Sequence, residues 1–228
     1  GFSTLGLLTI AVLGDFETGS FFAEMALAMQ MKVHVKYTAV ITHFVAFVFV
    51  FPWKLPLLFC LSPFLDAYKS GMRAGNTEYA LWCLGSHQVL VPFVTGKPLG
   101  VLLKQCQNCV AQMEEFNQQE QVLLMRQYLQ MLLNLTGKST ERTRLHGEAF
   151  NLDDFENATP LNDATIKMLQ TALFIFFGDF ESAANLALQC RDNYEKVAPG
   201  HFLGMTETFH RGVALYAMAR HTRKRKYT

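Results

Sequence analysis

The chain has 228 residues, of which 50% are hydrophobic, 17% are charged and 13% are aromatic, and its formal net charge is +1. That length is enough for one large domain or two small ones, with ample apolar material for a core. A nearly neutral chain gives no support to nucleic-acid binding or to electrostatic attachment at a membrane surface. The chain opens at Gly1 in the middle of an apolar pattern, so we expect it to be part of a longer protein.

The five cysteines lie at positions 60, 83, 106, 109 and 190, all within apolar stretches. An odd number of scattered cysteines is typical of buried thiols in a reducing compartment rather than of a disulfide framework. No basic segment with a cleavage site precedes the first apolar stretch, so a secretory signal is not predicted. The triplets that begin at Asn134 and Asn157 therefore carry little weight as glycosylation sites. We expect a cytoplasmic protein.

Chain-reversing residues recur at a fixed interval. Gly14 and Gly178 each begin a Gly-Asp-Phe-Glu tetrapeptide, and Gly96 lies 82 residues from both. Half of that interval leads from Gly96 to Gly137 and from Gly14 to the proline-rich segment 52–56. A period of about 20–50 residues predicts a repeat architecture, here of stacked helical hairpins. Such solenoids usually provide binding surfaces.

Between these turns, apolar residues at three- and four-residue spacing predict paired helices. In chain order the predicted helices are 2–13, 16–29, 35–51, 57–72, 79–94, 99–116, 118–135, 162–177, 179–197 and 205–220. Asn76 or Thr77 is the expected N-cap of the fifth helix, and Pro98 fits the first turn of the sixth. Segment 137–161 is polar and aperiodic, which predicts a long loop that is functional or mobile. The fold prediction is all-α, with about ten helices and no strands.

The Gly-Asp-Phe-Glu turns resemble the turn between the two helices of a tetratricopeptide repeat. In that repeat, small residues after the turn let the helices approach closely. Gly19 and Ala183 stand five positions after the two turn glycines, and Ala26 and Cys190 stand twelve positions after them. The resemblance implies a right-handed superhelix of stacked antiparallel hairpins, which we expect to be a single domain over residues 1–228. The middle repeats lack the small residues, and the period exceeds the usual length of about 34 residues.

Several motifs occur in the same order as in one family of large signalling proteins. They are FSTLGLL at 2–8, the Gly14 turn, YKSG at 68–71, GNTEYA at 75–80, TGKPL at 95–99, LHGEAF at 145–150 and FHRGVAL at 209–215. Together they resemble the helical-repeat region of multidomain signal-transduction ATPases. Those proteins join a serine/threonine-kinase-like domain, an AAA-type ATPase, this helical region, a GAF sensor and a histidine-kinase module. The resemblance, which covers nearly all of the chain, implies a non-catalytic scaffold that binds a partner protein, a ligand or a neighbouring domain.

Two segments have the spacing of catalytic or metal sites, and both have simpler interpretations. Segment 137–140, Gly-Lys-Ser-Thr, lacks the earlier glycine of a phosphate-binding loop because Leu132 occupies that position. It also follows a predicted helix rather than a strand, so a helix-ending glycine is the better explanation. Cys106 and Cys109 have no second ligand pair and no preceding strand, which favours two buried residues one helical turn apart.

The remaining polar residues form no recognisable site. The seven histidines, with no pair at metal-binding helical spacing, are at 34, 43, 87, 146, 201, 210 and 221. His87 lies on a mostly apolar helix, where a hydrogen-bonded core histidine is favoured over one that lines a groove. The acidic loop residues interpreted as hydrated surface are Glu148, Asp153, Asp154 and Glu156. The basic segment 220–226 is interpreted as a solvated end or linker rather than a patch for an anionic partner. We predict no catalytic, metal-binding or cofactor-binding residue, and no cofactor.

Two other classes of function stay open. A small all-α enzyme would need a nucleophile, a histidine and an acid that the fold brings together. A polytopic membrane protein would need segment 38–65 to face lipid. His43 and the breakers in segment 52–56 interrupt that stretch before it reaches the roughly 20 apolar residues of a spanning helix, and a buried core helix has the same composition. We expect a protein or another domain of the same protein as the partner, and neither a membrane nor nucleic acid.

Overall fold

The computed structural model describes residues 1–33, 36–154, 159–191 and 193–227. The side chains of Met31, Val33, Asp154 and Arg225 are outside that description, as are the predictions made for His34, Val35, Glu156 and Asn157. Helices dominate the described residues, which contain no strand and one isolated antiparallel bridge, between His146 and Asn151. The all-α prediction of about ten helices is therefore confirmed.

The α-helical segments match the predicted order. In the described residues they are α1 Phe2–Leu13, α2 Phe16–Val33, α3 Lys36–Val45, α4 Leu61–Arg73, α5 Thr77–Gly85, α6 Val91–Val94, α7 Leu99–Glu115, α8 Gln119–Leu135, α9 Pro160–Phe176, α10 Phe180–Cys190, α11 Asn193–Val197 and α12 Leu203–Thr222. Short 3₁₀ turns cover Phe51–Trp53, Leu57–Cys60, Leu152–Asp154 and Arg225–Tyr227.

Two π-helical turns interrupt predicted helices. Ala46–Val50 follows α3 and lies two residues before Pro52, and Ser86–Leu90 stands in the same position before Pro92. Proline lacks an N–H, and its ring collides with the carbonyl four residues earlier in a regular helix. The wider turn relieves this collision, and the N–H of Phe51 instead donates to the carbonyl five residues before it.

The chain divides into two compact units. Unit 1 comprises Gly1–Val122 and Pro199–Phe202, and unit 2 comprises Leu123–Ala198 and Leu203–Thr228. Each unit packs at least one pair of consecutive antiparallel helices and has its own apolar cluster. The expectation of one domain over residues 1–228 stays a prediction.

In unit 1, α1 and α2 form the first hairpin. Gly14 joins them in the left-handed conformation, with φ of 66°, and Asp15 Oδ1 caps α2 by accepting the N–H of Thr18 at 3.0 Å. The helices cross closely, because a Cβ added to Gly6 would lie 2.5 Å from the carbonyl oxygen of Gly19. The predicted role of the small residue at position 19 is confirmed.

A long apolar segment lies inside unit 1. Lys36–Trp53 is the one segment of the described residues that is long and apolar enough to cross a membrane, with a mean hydropathy of 1.3. From Val40 to Trp53, however, no residue is exposed, and Val50 and Phe51 join an apolar cluster with Ile10 of α1. Within Lys36–Trp53, 28% of the residues are buried, and the other residues from Val40 to Trp53 are half-buried.

In unit 2, α9 and α10 repeat the first hairpin. Gly178 has a φ of 81°, and Asp179 Oδ1 accepts the N–H of Ser182 at 3.1 Å. Small residues of α10 again make the close packing, and the apolar cluster with α12 contains Ala183, Ala184, Ala214 and Met218. Buried Tyr227 joins this cluster, so the chain after α12 is anchored there, whereas the charged residues beside it are exposed: Arg220, Arg223, Lys224 and Lys226.

Several predicted boundaries need correction. The helix predicted over 179–197 ends at Cys190, where Arg191 reverses the chain with a φ of 49°, and α11 follows. No glycine or proline marks this reversal, and the apolar spacing continues through it, so the sequence predicted a single helix. Pro98 is the N-cap of α7 rather than a residue of its first turn. Asn76 is confirmed as the N-cap of α5, since its side chain accepts the N–H of Tyr79 at 3.3 Å.

Candidate functional site

The polar loop between α8 and α9 is fixed to the helices by buried amide side chains. Gln130 Oε1 accepts the backbone N–H groups of Ala149 and Phe150 at 3.1 and 3.3 Å. Its Nε2 donates to the side-chain oxygen of Asn134 and to the carbonyl of His146. One side chain thus supplies both a donor and an acceptor to loop backbone that would otherwise be unsatisfied.

Two further amides continue this arrangement. Asn134 donates to the carbonyls of Arg142 and Arg144, and Gln170 of α9 accepts the N–H of Leu145 at 3.1 Å. Between these contacts the charged loop side chains face solvent, including Glu148 and the Arg144–Asp153 ion pair at 2.7 Å. The described part of the loop therefore has a hydrated exterior, and helix side chains bond several of its backbone N–H and C=O groups.

A cleft between α9, α10 and α12 gathers the most reactive side chains of unit 2. Its lining includes Cys190, Glu207 and His210, with cationic side chains beside them from Lys167, Arg191 and Arg211. Glu207 is buried and accepts the backbone N–H of Tyr194 at 3.0 Å. The one sign of this cleft in the sequence is the spacing of Glu207 and His210, one turn apart on α12, and that spacing alone does not predict a site.

The electrostatics of the cleft oppose nucleophilic catalysis. Burial is the main influence on both groups: it raises the pKa of the Cys190 thiol and lowers the pKa of the His210 imidazole. An activated cysteine requires the opposite shifts, because the thiolate is the nucleophile and an imidazolium stabilises it. In the described part of the chain no hydrogen bond joins these two side chains. The cleft therefore holds a neutral thiol beside a neutral ring.

The motif candidates of unit 1 have structural roles. Cys106 and Cys109 are fully buried on α7, and burial raises the pKa of Cys109 to about 12. Burial also raises the pKa of Cys60 to about 11. His87 Nδ1 lies 2.9 Å from the carbonyl oxygen of Leu61, which confirms the predicted hydrogen bond, but the side chain is half-buried rather than in the core.

The other sequence candidates also resolve into structural features. Gly137 has a φ of 73° and stands two residues after the end of α8 at Leu135, which makes it a helix-ending glycine, as predicted, rather than part of a phosphate-binding loop. Four of the cysteines are buried and Cys190 is half-buried, with no disulfide among the described residues. Within those residues no group of three histidine, cysteine, aspartate or glutamate side chains is placed to hold a metal ion.

Unit 1 holds a short segment that is distant in the sequence. The indole N–H of Trp53 donates to the carbonyl of Gly200 at 2.8 Å, and the N–H of Phe202 donates to the carbonyl of Val48 at 3.3 Å. In a regular helix the Val48 carbonyl would accept the N–H of residue 52, but Pro52 has no N–H to donate. His201 packs edge-on against Phe49, with ring centroids 5.2 Å apart. The π-helical turn thus provides the acceptor that fixes segment 199–202.

The largest exposed apolar feature of the first hairpin is the outer side of α1. We define the α1 face as Phe2, Leu5, Leu8 and Val12, all of which are exposed. No residue from Gly1 to Gly14 carries a charged side chain. Scattered exposed apolar residues are ordinary, but a contiguous stripe on an uncharged helix marks an interaction surface. The α1 face is therefore our candidate binding site.

Two comparisons with known proteins found no match. No protein-family model matches the chain, and no curated protein matches its sequence.

Proposed function

We propose that this chain is a non-catalytic helical-repeat scaffold within a multidomain signal-transduction ATPase or kinase. It binds a partner protein, a ligand or a neighbouring domain. The observation that carries the proposal is the repetition of one helical hairpin: α1–α2 and α9–α10 share the turn glycine, the aspartate cap and the small residues of the second helix. Repeated hairpins of this kind build extended binding surfaces.

The proposed architecture is a right-handed superhelix in which neighbouring hairpins stack and share a continuous apolar core. The signalling context comes from the motif series between residues 2 and 215, and a cytoplasmic location is part of the same proposal. The neutral thiol and imidazole of the unit 2 cleft support a scaffold over an enzyme. The packing of Val50 and Phe51 in one apolar cluster with Ile10 of α1 supports a core helix over a membrane span.

The proposal is tested with the purified 228-residue chain and separately purified kinase-like, ATPase and GAF domains from the same gene product. Co-elution in size-exclusion chromatography and an affinity measurement by fluorescence anisotropy are the readouts. We expect saturable binding of at least one domain. A chain that binds none of them, and that turns over a substrate by itself, would refute the scaffold function.

A further inference from the structure

One side of α12 is exposed along its length. We define the α12 face as the residues on this side, which recur at three- and four-residue spacing and are all exposed: Met205, Phe209, Gly212, Tyr216 and Arg220. The opposite side packs into the apolar cluster of unit 2 through Ala214 and Met218. Phe209 is 67% exposed and Tyr216 is 68% exposed, so two large aromatic side chains are uncovered on a helix whose other side is packed.

Gly212 lies between the two aromatic side chains, in the interior of α12. Glycine lowers helix stability relative to alanine, so a glycine inside a helix usually has a packing reason. At Gly6 that reason is the close approach of α2, but a Cβ added to Gly212 would meet nothing within 4 Å. Packing within the chain therefore does not require a glycine at this position. The missing side chain leaves a shallow notch between Phe209 and Tyr216, where the backbone of another helix can approach closely.

Positive charge is concentrated where the α12 face ends. Residues 208–228 contain six lysines and arginines and no aspartate or glutamate, although the whole chain has 20 basic and 19 acidic residues. Arg220, Arg223 and Lys224 are exposed, and none of them forms an ion pair within the described residues. Cations in the last turn stabilise a helix through its dipole, but Lys224 and Lys226 lie beyond the end of α12.

The basic segment is held in place by the chain itself. Arg223 turns the chain with a φ of 56°, and its N–H donates to the carbonyl of Ala219 at 2.9 Å. The 3₁₀ turn Arg225–Tyr227 follows, and the buried side chain of Tyr227 joins the apolar cluster of unit 2. The cations beside it are thus presented from a fixed backbone, which lowers the entropy cost of binding a partner.

The order of these side chains along α12 selects the class of partner. A helix that lies on a membrane keeps its cations on the side opposite its apolar side, whereas here aromatic and basic residues follow one another on the same side. A single-stranded nucleic acid needs cations along the whole surface on which its bases stack, but on the α12 face the cations lie at one end. A helix that carries apolar side chains over two or three turns and then carboxylates matches both parts of the face.

We propose that the α12 face is the docking site of an acidic amphipathic α-helix of a partner protein. Apolar side chains of that helix cover Phe209 and Tyr216, its backbone approaches at Gly212, and its aspartates or glutamates face Arg220 and Arg223. The proposal rests on the scaffold function above and names a surface and the class of its partner.

The probe is a synthetic helical peptide of about 18 residues, labelled with fluorescein and titrated with the 228-residue chain. It has leucines at three- and four-residue spacing over its first three turns and glutamates on the same side in its last two. A charge-reversed peptide has lysine in place of each glutamate. Phe209→Ala is matched by Phe59→Ala, because Phe59 is 68% exposed in unit 1. Arg220→Glu is matched by Lys104→Glu at an exposed position of α7.

The expected result is saturable binding of the acidic peptide that Phe209→Ala weakens about tenfold and that Phe59→Ala leaves unchanged. Arg220→Glu should weaken binding about threefold, and Lys104→Glu should leave it unchanged. Gly212→Ala is the most selective variant. It should raise the melting temperature of the chain, because alanine favours the helix, and weaken peptide binding about fivefold, because its Cβ fills the notch.

Three results with these peptides would overturn the proposal: no binding of the acidic peptide, equal binding of the charge-reversed peptide, or unchanged binding to Gly212→Ala. Sedimentation with phosphatidylserine vesicles, or binding of a labelled oligouridylate, that is lost in Phe209→Ala would also overturn it, in favour of a membrane or a nucleic acid. So would light scattering that shows a dimer dissociated by Phe209→Ala, since the occupant would then be a second copy.

The scaffold function and the α12 face fail separately. Binding of a kinase-like, ATPase or GAF domain that survives Phe209→Ala would refute the α12 face and leave the scaffold function intact. Conversely, peptide binding without binding of any of these domains would support the α12 face and refute the scaffold function as stated.

Discussion

At the residue scale, the amide of Gln130 bonds to the backbone of the loop between α8 and α9. The sequence predicted only that this segment is an irregular loop. Gln130 is fully buried on α8, and both its oxygen and its nitrogen are used. Buried donors and acceptors that lose their partners cost about 1–3 kcal/mol each, so a single side chain has a large effect on loop stability. Polar residues on a buried helix face were the available signal, but the sequence did not show what they bind.

Replacing Gln130 with leucine keeps its volume and removes every hydrogen bond. We expect Gln130→Leu to lower the free energy of unfolding by about 2–4 kcal/mol, because the N–H groups of Ala149 and Phe150 lose their acceptor. Urea denaturation followed by circular dichroism measures this change. Gln189→Leu, at an exposed position of α10, is the control and should change it by less than about 0.5 kcal/mol. Equal effects at the two sites would contradict the role given to Gln130.

His201 makes the stability of unit 1 depend on pH. Burial lowers the pKa of its ring to about 3, whereas the unfolded chain binds the proton near the ordinary value of about 6.5. Protonation therefore favours the unfolded state, and the contribution of neutral His201 is complete above pH 6.5 and declines as the pH falls toward 3. Burial of His210 in unit 2 lowers its pKa too and acts in the same direction.

We therefore expect the wild-type chain to lose stability between pH 7 and pH 5, and His201→Gln to lose less over the same interval. Urea midpoints at the two pH values measure the difference, and His221→Gln is the control because His221 is exposed. An identical pH dependence in wild type and His201→Gln would show that the ring is solvated and that segment 199–202 is not held as described.

At the element scale, the close crossing of α1 and α2 explains why each of the two helices carries a glycine at their contact, Gly6 and Gly19. Gly6→Ala would place a Cβ against the carbonyl oxygen of Gly19, and backbone cannot move as a flexible side chain can. We expect a loss of about 1–3 kcal/mol in unfolding free energy, typical of overpacking. Gly100→Ala is the matched control: that helical glycine has open space at its Cβ, and alanine should stabilise α7 by up to about 1 kcal/mol. Thermal denaturation of both variants measures the contrast, and a stabilising Gly6→Ala would contradict the close approach.

The sequence predicted the helices well where glycine, proline or a capping residue marks their ends. The Gly14, Gly137 and Gly178 reversals and the Asn76 cap all lie where local chemistry requires them. It failed where an end depends on tertiary contacts. The reversal at Arg191 has no local marker in the sequence. Each π-helical turn arises because a proline lies inside the helix, and apolar periodicity does not show how that proline changes the preceding turn.

The candidate sites show the same limit. The exposed stripe of α1 is visible in the sequence as an uncharged apolar helix, but only coordinates show that its counterpart in α9 is buried. The unit 2 cleft combines residues from three helices, Lys167, Cys190 and His210 among them, which no spacing rule connects. Segment 199–202 belongs to unit 1 through contacts more than a hundred residues away in sequence, such as Trp53 with Gly200.

At the scale of the whole molecule, the described residues are helical hairpins in two units, each with its own apolar cluster. Burial keeps the thiol of Cys190 and the ring of His210 neutral, Gln130 and Glu207 hold backbone N–H groups, and the α1 face is exposed. We propose that a molecule arranged in this way acts by binding, through exposed apolar side chains such as Leu5 and Leu8.

Isothermal titration calorimetry of the 228-residue chain with each of the kinase-like, ATPase and GAF domains proposed to accompany it tests this claim most directly. Burial of an apolar helical surface predicts saturable one-to-one binding with a negative heat-capacity change. Repeating the titration at several temperatures yields that quantity. Titrations that show no binding with any of the domains would contradict a scaffold that acts through its helical surface.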